Sequence, residues 1–165
     1  DGVISLSIGI DAEASISVPR TAIPVRTKPI DFYGTSNLQG GCANRPGMAH
    51  TNIISRRLNR EIVNLGFSGN ALLDYEIAEV MSSVDAGVYV LDFVPNASSD
   101  QIYEKMETFY RILRDKHPRT PIIFIEDPVF THALFDKKIA IEINKKNKAV
   151  NSVLKSLKTN KEVLK

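Results

Sequence analysis

Four short apolar runs, each followed by glycine or polar residues, most constrain what this chain can fold into. The runs cover residues 30–33, 62–65, 87–91 and 122–125, and segments with helical spacing lie after each of them, over residues 50–58, 74–82, 98–116 and from 136 onward. Strands that alternate with helices indicate βαβ units and a parallel sheet. Right-handed crossovers then place the helices on both faces of that sheet. The sequence therefore predicts an α/β fold.

The residues that follow the strands carry the functional groups. The four strand exits are Gly34-Thr35-Ser36, residues 66–70, residues 92–96 and Glu126-Asp127. In an open α/β sheet, ligands bind beyond the carboxyl ends of the strands. The predicted fold therefore brings together a hydroxyl, a glycine N–H and an Asn amide, which are the groups that acyl transfer requires. The alternative is that Ser36 is an ordinary turn or helix-cap residue.

Composition limits the classes of function. The chain has 165 residues, of which 43% are hydrophobic and 24% charged, with a net charge of +2. This is enough for one sizeable core and gives no electrostatic reason to expect nucleic acid. Lysines dominate from Lys137 onward without interleaved aromatics, which indicates a solvated helix face. No apolar run approaches the roughly 18 residues of a membrane helix, so we predict no membrane partner. The single cysteine, Cys42, allows no intramolecular disulfide.

The first 28 residues have a different pattern. Residues 3–10 and 14–18 alternate apolar and polar side chains, as half-buried strands do, and Pro19, Pro24 and Pro29 follow. We therefore interpret residues 1–28 as the tail of a β-rich N-terminal module or a linker, and residues 29–165 as the α/β domain. Because the chain opens in strand-like sequence without Met, we expect the natural protein to begin earlier.

Three blocks of the sequence resemble a known family. Residues 32–49 resemble the first block of the SGNH (GDSL-type) hydrolases, in the branch that writes it YGTS…QGG…RPG. Residues 64–70 resemble the second block and residues 90–96 the third. The blocks occur in order, each begins in or next to a predicted strand, and the resemblance covers about residues 28 to 150. It implies a flavodoxin-like three-layer α/β/α sandwich, often preceded in this branch by a β-sandwich module.

The resemblance also implies a site. Ser36 would be the nucleophile, and its backbone N–H, the Gly69 N–H and the Asn96 side-chain amide would form the oxyanion hole. Members of the family hydrolyse esters, often of acyl groups such as acetyl on carbohydrates, so the implied partner is a small-molecule or carbohydrate ester. The chemistry needs no cofactor and no metal. Arg45, in the loop after Ser36, could equally contact substrate or hold the loop. The resemblance favours a secreted or periplasmic protein, and the sequence leaves location and oligomeric state open.

One part of the family pattern is missing. The family supplies its base and orienting carboxylate as Asp-x-x-His near the C-terminus, and no Asp-x-x-His occurs in this sequence. We therefore expect a domain incomplete at its C-terminus, with the base beyond Lys165, and a chain that is almost inactive alone. His132, after the fourth strand, is the alternative base within the chain, although loop histidines are usually solvated.

Two other functions stay open. The missing base also fits a non-catalytic module that binds carbohydrate or protein on a hydrolase fold. A weaker alternative is a phosphate or nucleotide binder at Ser68-Gly69-Asn70, before the helix that Asp74 is predicted to cap. Glu126 and Asp127 are adjacent carboxylates, but without companion ligands they do not predict a metal site.

Overall fold

A computed structural model of the chain describes residues 5–17 and 28–159. The strands are β1 (Ile30–Gly34), β2 (Ile62–Gly66), β3 (Val88–Asp92) and β4 (Ile122–Phe124). The helices are α1 (Ser36–Gln39), α2 (His50–Leu58), α3 (Tyr75–Ser82), α4 (Ser99–Lys116) and α5 (Lys137–Thr159), with short 3₁₀ helices at Pro46–Met48 and Thr131–Leu134. The four strands and the long helices lie where the sequence predicts them.

The four strands form one parallel sheet in the order β2-β1-β3-β4. In this register Gly34, at the end of β1, lies opposite Gly66 on one side and Asp92 on the other. The carboxyl ends of β1, β2 and β3 are therefore level with one another, at a single edge of the sheet. The predicted parallel sheet is confirmed.

Alternation along the strands divides the core between two helical layers. Tyr33 and Tyr89 point to one face, where they join the buried side chains of α3, α4 and α5. Phe32 and Val90 point to the other face and pack with Leu38 of α1, next to α2. The result is the predicted flavodoxin-like three-layer α/β/α sandwich.

The ends of two helices show how local sequence sets the elements. Ser98 precedes α4 and accepts the Gln101 N–H at 3.2 Å, while the Gln101 side chain accepts the Ser98 N–H at 2.9 Å. This reciprocal pair is a capping box, which fixes the start of the helix. Asp74 lies at the predicted start of α3, but its side chain makes no capping bond. Its carboxylate lies instead 3.9 Å from the Lys105 ammonium group on α4.

The N-terminal segment differs from its pattern. Residues 5–17 contain no strand, only a turn in which the Ala14 N–H donates to the Asp11 carbonyl at 2.9 Å. Leu6, Ile8 and Ile16 are exposed. The predicted strands at these residues are wrong for the described segment, because a strand forms only where a neighbour accepts its backbone hydrogen bonds. Residues 1–4, 18–27 and 160–165 lie outside the described part, and the assignment of residues 1–28 to another module stays a prediction.

No helix in the two described stretches is both long enough and apolar enough to cross a membrane.

Candidate active site

Ser36 is the first residue of α1, directly after the central strand β1. It is half-buried, and its carbonyl accepts the N–H groups of Gly40 and Gly41 at 3.1 and 3.0 Å. Gly40 ends the helix with a φ of +86°, a left-handed conformation that favours glycine. The one-turn helix is therefore closed at its C-terminal end, and Ser36 lies at the sheet edge where β1 ends. Its hydroxyl makes no hydrogen bond to any residue in the described part of the chain.

Asn64 attaches this short helix to the sheet. Its side-chain amide donates to the Leu38 carbonyl and to the Thr51 hydroxyl, each at 3.0 Å, and its oxygen accepts the Gly66 N–H at 3.0 Å. Three elements, α1, α2 and β2, thus share one side chain. This role could not be predicted from the sequence, because the partners lie up to 26 residues away along the chain.

The loop after β2 contains Gly69 and is hydrogen-bonded to the end of β1, the strand before Ser36. The Phe67 N–H donates to the Gly34 carbonyl at 2.8 Å, and the Asn70 N–H donates to the Phe67 carbonyl at 3.1 Å. Gly69 has a φ of +72° and is exposed, with open space where a Cβ would stand. Its conformation favours glycine, while the space around it is free for a bound molecule.

The loop after β3 contains Asn96 and is tied to the loop after β2. The Asn96 side-chain oxygen accepts the Ala71 N–H at 3.3 Å. A second connection runs from β1, where the buried Tyr33 hydroxyl accepts the Leu73 N–H at 2.9 Å. Because its oxygen is occupied, Asn96 has its amide N–H groups left to donate.

These contacts bring the loops that carry Ser36, Gly69 and Asn96 to the same edge of the sheet. The roles of the three residues as nucleophile and oxyanion donors stay predictions.

Arg45 is exposed at the start of the 3₁₀ helix, and its side chain makes no hydrogen bond or ion pair within the described residues. The loop is held instead by Arg56, which donates to the Gly47 carbonyl at 2.7 Å, and by Asn52, which donates to the Pro46 carbonyl at 2.8 Å.

Two buried carboxylates lie at the same edge. Burial, together with the smaller effect of the nearby charge of Asp127, raises the pKa of Asp92, at the end of β3, to about 6. Burial also raises the pKa of Asp127, against the opposing effect of Lys146, whose ammonium nitrogen lies 3.9 Å away. In the sequence, Asp127 lies at the fourth strand exit, where it and Glu126 do not predict a metal site, and Lys146, which comes from α5, was not predicted to lie beside it.

The three histidines occupy different positions. His117 bonds through Nε2 to the Ser82 carbonyl at 2.9 Å and packs on the Tyr89 ring, so its contacts are structural. His50 is exposed at the start of α2. His132 is exposed in the second 3₁₀ helix, stacked on Phe130 with ring centroids 5.6 Å apart. No group of three or more His, Cys, Asp or Glu among the residues described could hold a metal ion.

Comparison with solved structures places this geometry among known proteins. A protein from Bacteroides ovatus ATCC 8483 named as a GDSL-like lipase is 35% identical, with a TM-score of 0.77, over 82% of this chain and 40% of its own. The salicylyl-acyltransferase SsfX3 from a tetracycline biosynthetic pathway is 19% identical, with a TM-score of 0.65, over 82% of this chain and 41% of its own. The second likeness shows the fold alone. The chain therefore spans about two-fifths of the length of each protein.

Comparison with protein families supplies the assignment. No protein with a curated description matches the chain. The GDSL-like lipase/acylhydrolase family matches residues 27–163, which include all four strands and the loops that follow them. The chain belongs to the GDSL-like lipase/acylhydrolase family.

Proposed function

We propose that this chain supplies the nucleophile and the oxyanion hole of a serine ester hydrolase. The observation that carries the proposal is the hydrogen bond from the Ala71 N–H to the Asn96 side-chain oxygen. It holds the loop after β3 against the loop that contains Gly69, beside the strand that ends next to Ser36. In this proposal a side-chain donor and a backbone donor act on the substrate that one hydroxyl attacks, which is the arrangement that acyl transfer uses.

In the proposed reaction, the Ser36 Oγ attacks the acyl carbon of the ester and transfers its proton to a general base. The carbonyl electron pair moves onto oxygen, where the N–H groups of Ser36 and Gly69 and the amide of Asn96 donate to the negative charge. The C–O bond to the alcohol then breaks, and the alcohol leaves with the proton from the base. Water attacks the acyl-serine in the same way and releases the acid.

Two of these donors, the Ser36 N–H and the Asn96 amide, are suited to this work because the fold already holds them in place. The Ser36 N–H belongs to the first turn of a helix, where backbone N–H groups have no acceptor within the helix. The Asn96 amide is oriented through its own oxygen by Ala71. Donors fixed in advance stabilise the transition state more than donors that must first turn away from water.

The general base is proposed from the family resemblance. The Ser36 hydroxyl has no hydrogen-bond partner in the described residues, and the family supplies its base from an Asp-x-x-His motif. We place that base in a part of the natural protein outside these 165 residues. His132 is the alternative, and His132→Ala separates the two, because loss of the true base lowers kcat by about 10²- to 10⁴-fold. A fully active His132→Ala enzyme excludes His132.

The proposed substrate is an acyl ester of a carbohydrate or a similar small alcohol, with acetyl as the acyl group. The family resemblance supports this class. The two buried acids and Lys146 at the same edge of the sheet add polar groups suited to an alcohol with further hydroxyls.

The test uses the natural full-length protein and p-nitrophenyl acetate, whose hydrolysis any acetyl esterase can report. Ser36→Ala is expected to abolish the enzymatic rate and to prevent labelling by a fluorophosphonate, which reacts with activated serines. Ser68→Ala is the matched control, because Ser68 is exposed on the neighbouring turn and, within the described residues, bonds only through its carbonyl, to the Asn70 side chain. Equal rates for wild type and Ser36→Ala would exclude the esterase and favour the non-catalytic binding module.

A further inference from the structure

The peptide unit between Pro95 and Asn96 is hydrogen-bonded at both of its polar groups. The Asn96 N–H donates to the Phe93 carbonyl at 3.0 Å, and the Pro95 carbonyl accepts a hydrogen bond from the Lys146 ammonium group at 3.1 Å. Because a peptide unit is planar, bonds at its two ends fix the orientation of the whole plane. One of these bonds comes from α5, 51 residues further along the chain.

The Asn96 side chain depends on this peptide. Its oxygen accepts the Ala71 N–H at 3.3 Å, which sets the rotation of the amide. The position of the side chain is set by the backbone that carries it, and that backbone begins at the peptide that Lys146 holds. The direction of the amide N–H groups therefore depends on both bonds.

Lys146 is suited to hold this peptide because its own position is fixed. Its side chain is only 14% exposed, and Oδ2 of Asp127 lies 3.9 Å from the ammonium nitrogen. The next residue of α5, Asn147, accepts the Asp127 N–H at 2.7 Å and donates to the Asp127 carbonyl at 3.0 Å. The helix is therefore joined to the loop after β4, and from there the lysine reaches the loop after β3.

Two neighbouring lysines of α5 lack such contacts. Lys145 and Lys148 are exposed, and neither side chain makes a hydrogen bond or ion pair within the described residues. Taking an ammonium group out of water costs free energy unless oxygen atoms replace the water. The placement of Lys146 is explained by its two oxygen partners, one of which belongs to the residue just before Asn96.

We infer that Lys146 is a positioning residue for the proposed oxyanion hole: by holding the Pro95 carbonyl from α5, it keeps the Asn96 amide directed at the carbonyl oxygen of the ester. The inference rests on the proposed function, in which Asn96 donates to the oxyanion. Lys146 contacts neither the ester nor Ser36 in this assignment. Its loss should therefore weaken stabilisation of the transition state and leave binding of the ester almost unchanged.

The first test compares two lysine variants of the natural full-length protein with p-nitrophenyl acetate as substrate. Lys146→Met keeps the length of the side chain but removes its donor and its charge. We expect kcat to fall about tenfold and KM to change less than about twofold, since small displacements of a group at the reacting centre cost up to about 10²-fold in rate. Lys145→Met, at the exposed neighbouring position, is the matched control and should behave as wild type.

Thermal melting checks that each variant is folded. Lys146→Gln, which is neutral and shorter, replaces Lys146→Met if that variant does not fold. If kcat falls in Asn96→Ala but not in the folded Lys146 variant, the inference is wrong. A higher KM with unchanged kcat would also overturn it, because that pattern indicates a contact with the substrate rather than a positioning role.

A double-mutant cycle separates action through Asn96 from a direct effect of the lysine charge. Adding Lys146→Met to Asn96→Ala should lower kcat by less than about twofold more, because the group that the lysine positions is already missing. Equal losses in the wild-type and Asn96→Ala backgrounds would show that the two residues act independently and would reject the inference.

NMR of the side-chain amides distinguishes this inference from the proposed function. The Asn96 amide signal is identified by its absence in Asn96→Ala, and it should shift in Lys146→Met but not in Lys145→Met. A wild-type kcat in Asn96→Ala would reject the oxyanion hole itself, and a shifted signal would then still show that Lys146 positions the amide. An unshifted signal in the folded Lys146→Met variant would reject the inference whatever the rates.

Discussion

The side-chain oxygen of Asn96 accepts the Ala71 N–H at 3.3 Å, so one residue joins two loops through its oxygen and keeps its amide nitrogen for the proposed oxyanion hole. The two roles can be separated because they use different atoms. Oxygen holds the loop, whereas nitrogen would donate to the oxyanion.

Replacing Asn96 by Asp keeps an oxygen for Ala71 and removes the donor. We expect Asn96→Asp to lower kcat for p-nitrophenyl acetate by about 10²- to 10³-fold, as removal of one oxyanion donor does elsewhere. Asn96→Ala, which loses both atoms, should lower kcat at least as much and also lower the melting temperature. An Asn96→Asp enzyme with nearly wild-type kcat would show that the amide donates nothing to the transition state.

This edge of the sheet also shows what could be predicted from sequence. The strands were predictable because each is a short apolar run that ends in glycine or polar residues, and the parallel sheet follows from their alternation with helices. Asn64, Tyr33 and Lys146 were not predictable, because each bonds to a group at least 13 residues away, on an element that only the folded chain brings near. The alternation of apolar and polar residues in residues 5–17 predicts strands that do not form there, since a local pattern cannot supply a partner strand.

Asn64 should act as a positioning residue for Ser36. Asn64→Ala removes three hydrogen bonds, two of which join β2 to α1 and α2, and we expect the free energy of unfolding to fall by about 1 to 3 kcal/mol. The rate of fluorophosphonate labelling at Ser36 should fall as well, even at temperatures where the variant is fully folded. Asn52→Ala, which loses one bond to the exposed Pro46 carbonyl, is the control and should leave labelling unchanged. Loss of stability with normal labelling would limit Asn64 to a structural role.

Asp31 should make stability depend on pH. It is fully buried in β1, neither of its carboxylate oxygens has a partner in the described residues, and burial raises its pKa from 3.8 to about 7. Between these values the unfolded chain releases the proton while the folded chain keeps it, so the free energy of unfolding falls as pH rises. The slope is about 1.4 kcal/mol per pH unit, which gives on the order of 4 kcal/mol between pH 4 and 7 and no further change above pH 7.

Urea unfolding of wild type and Asp31→Asn at pH 4.5, 6 and 8 checks this prediction. Asp92 and Asp127 also have raised pKa values, so the informative quantity is the difference between the two proteins. The free energy of unfolding of Asp31→Asn, minus that of wild type, should increase as pH rises to about 7. Asp115→Asn, at an exposed position of α4, is the control and should follow wild type at each pH. Parallel curves for wild type and Asp31→Asn would mean that Asp31 is not protonated in the folded protein.

Gly66 should be the glycine of this edge least able to accept a side chain. A Cβ at Gly66 would overlap the backbone nitrogen and Cα of Gln39, in the helix that begins with Ser36. Backbone cannot move aside as a flexible side chain can, so Gly66→Ala should push α1 away from β2. We expect kcat to fall at least tenfold, because small displacements of a nucleophile cost up to about 10²-fold in rate. Gly41→Ala is the matched control, since its Cβ would lie 3.4 Å from the Ser36 carbonyl oxygen, an ordinary contact. The measurements are the hydrolysis rate and the melting temperature of both variants. If Gly66→Ala is as active as Gly41→Ala, the close packing of α1 on β2 does not set the position of Ser36.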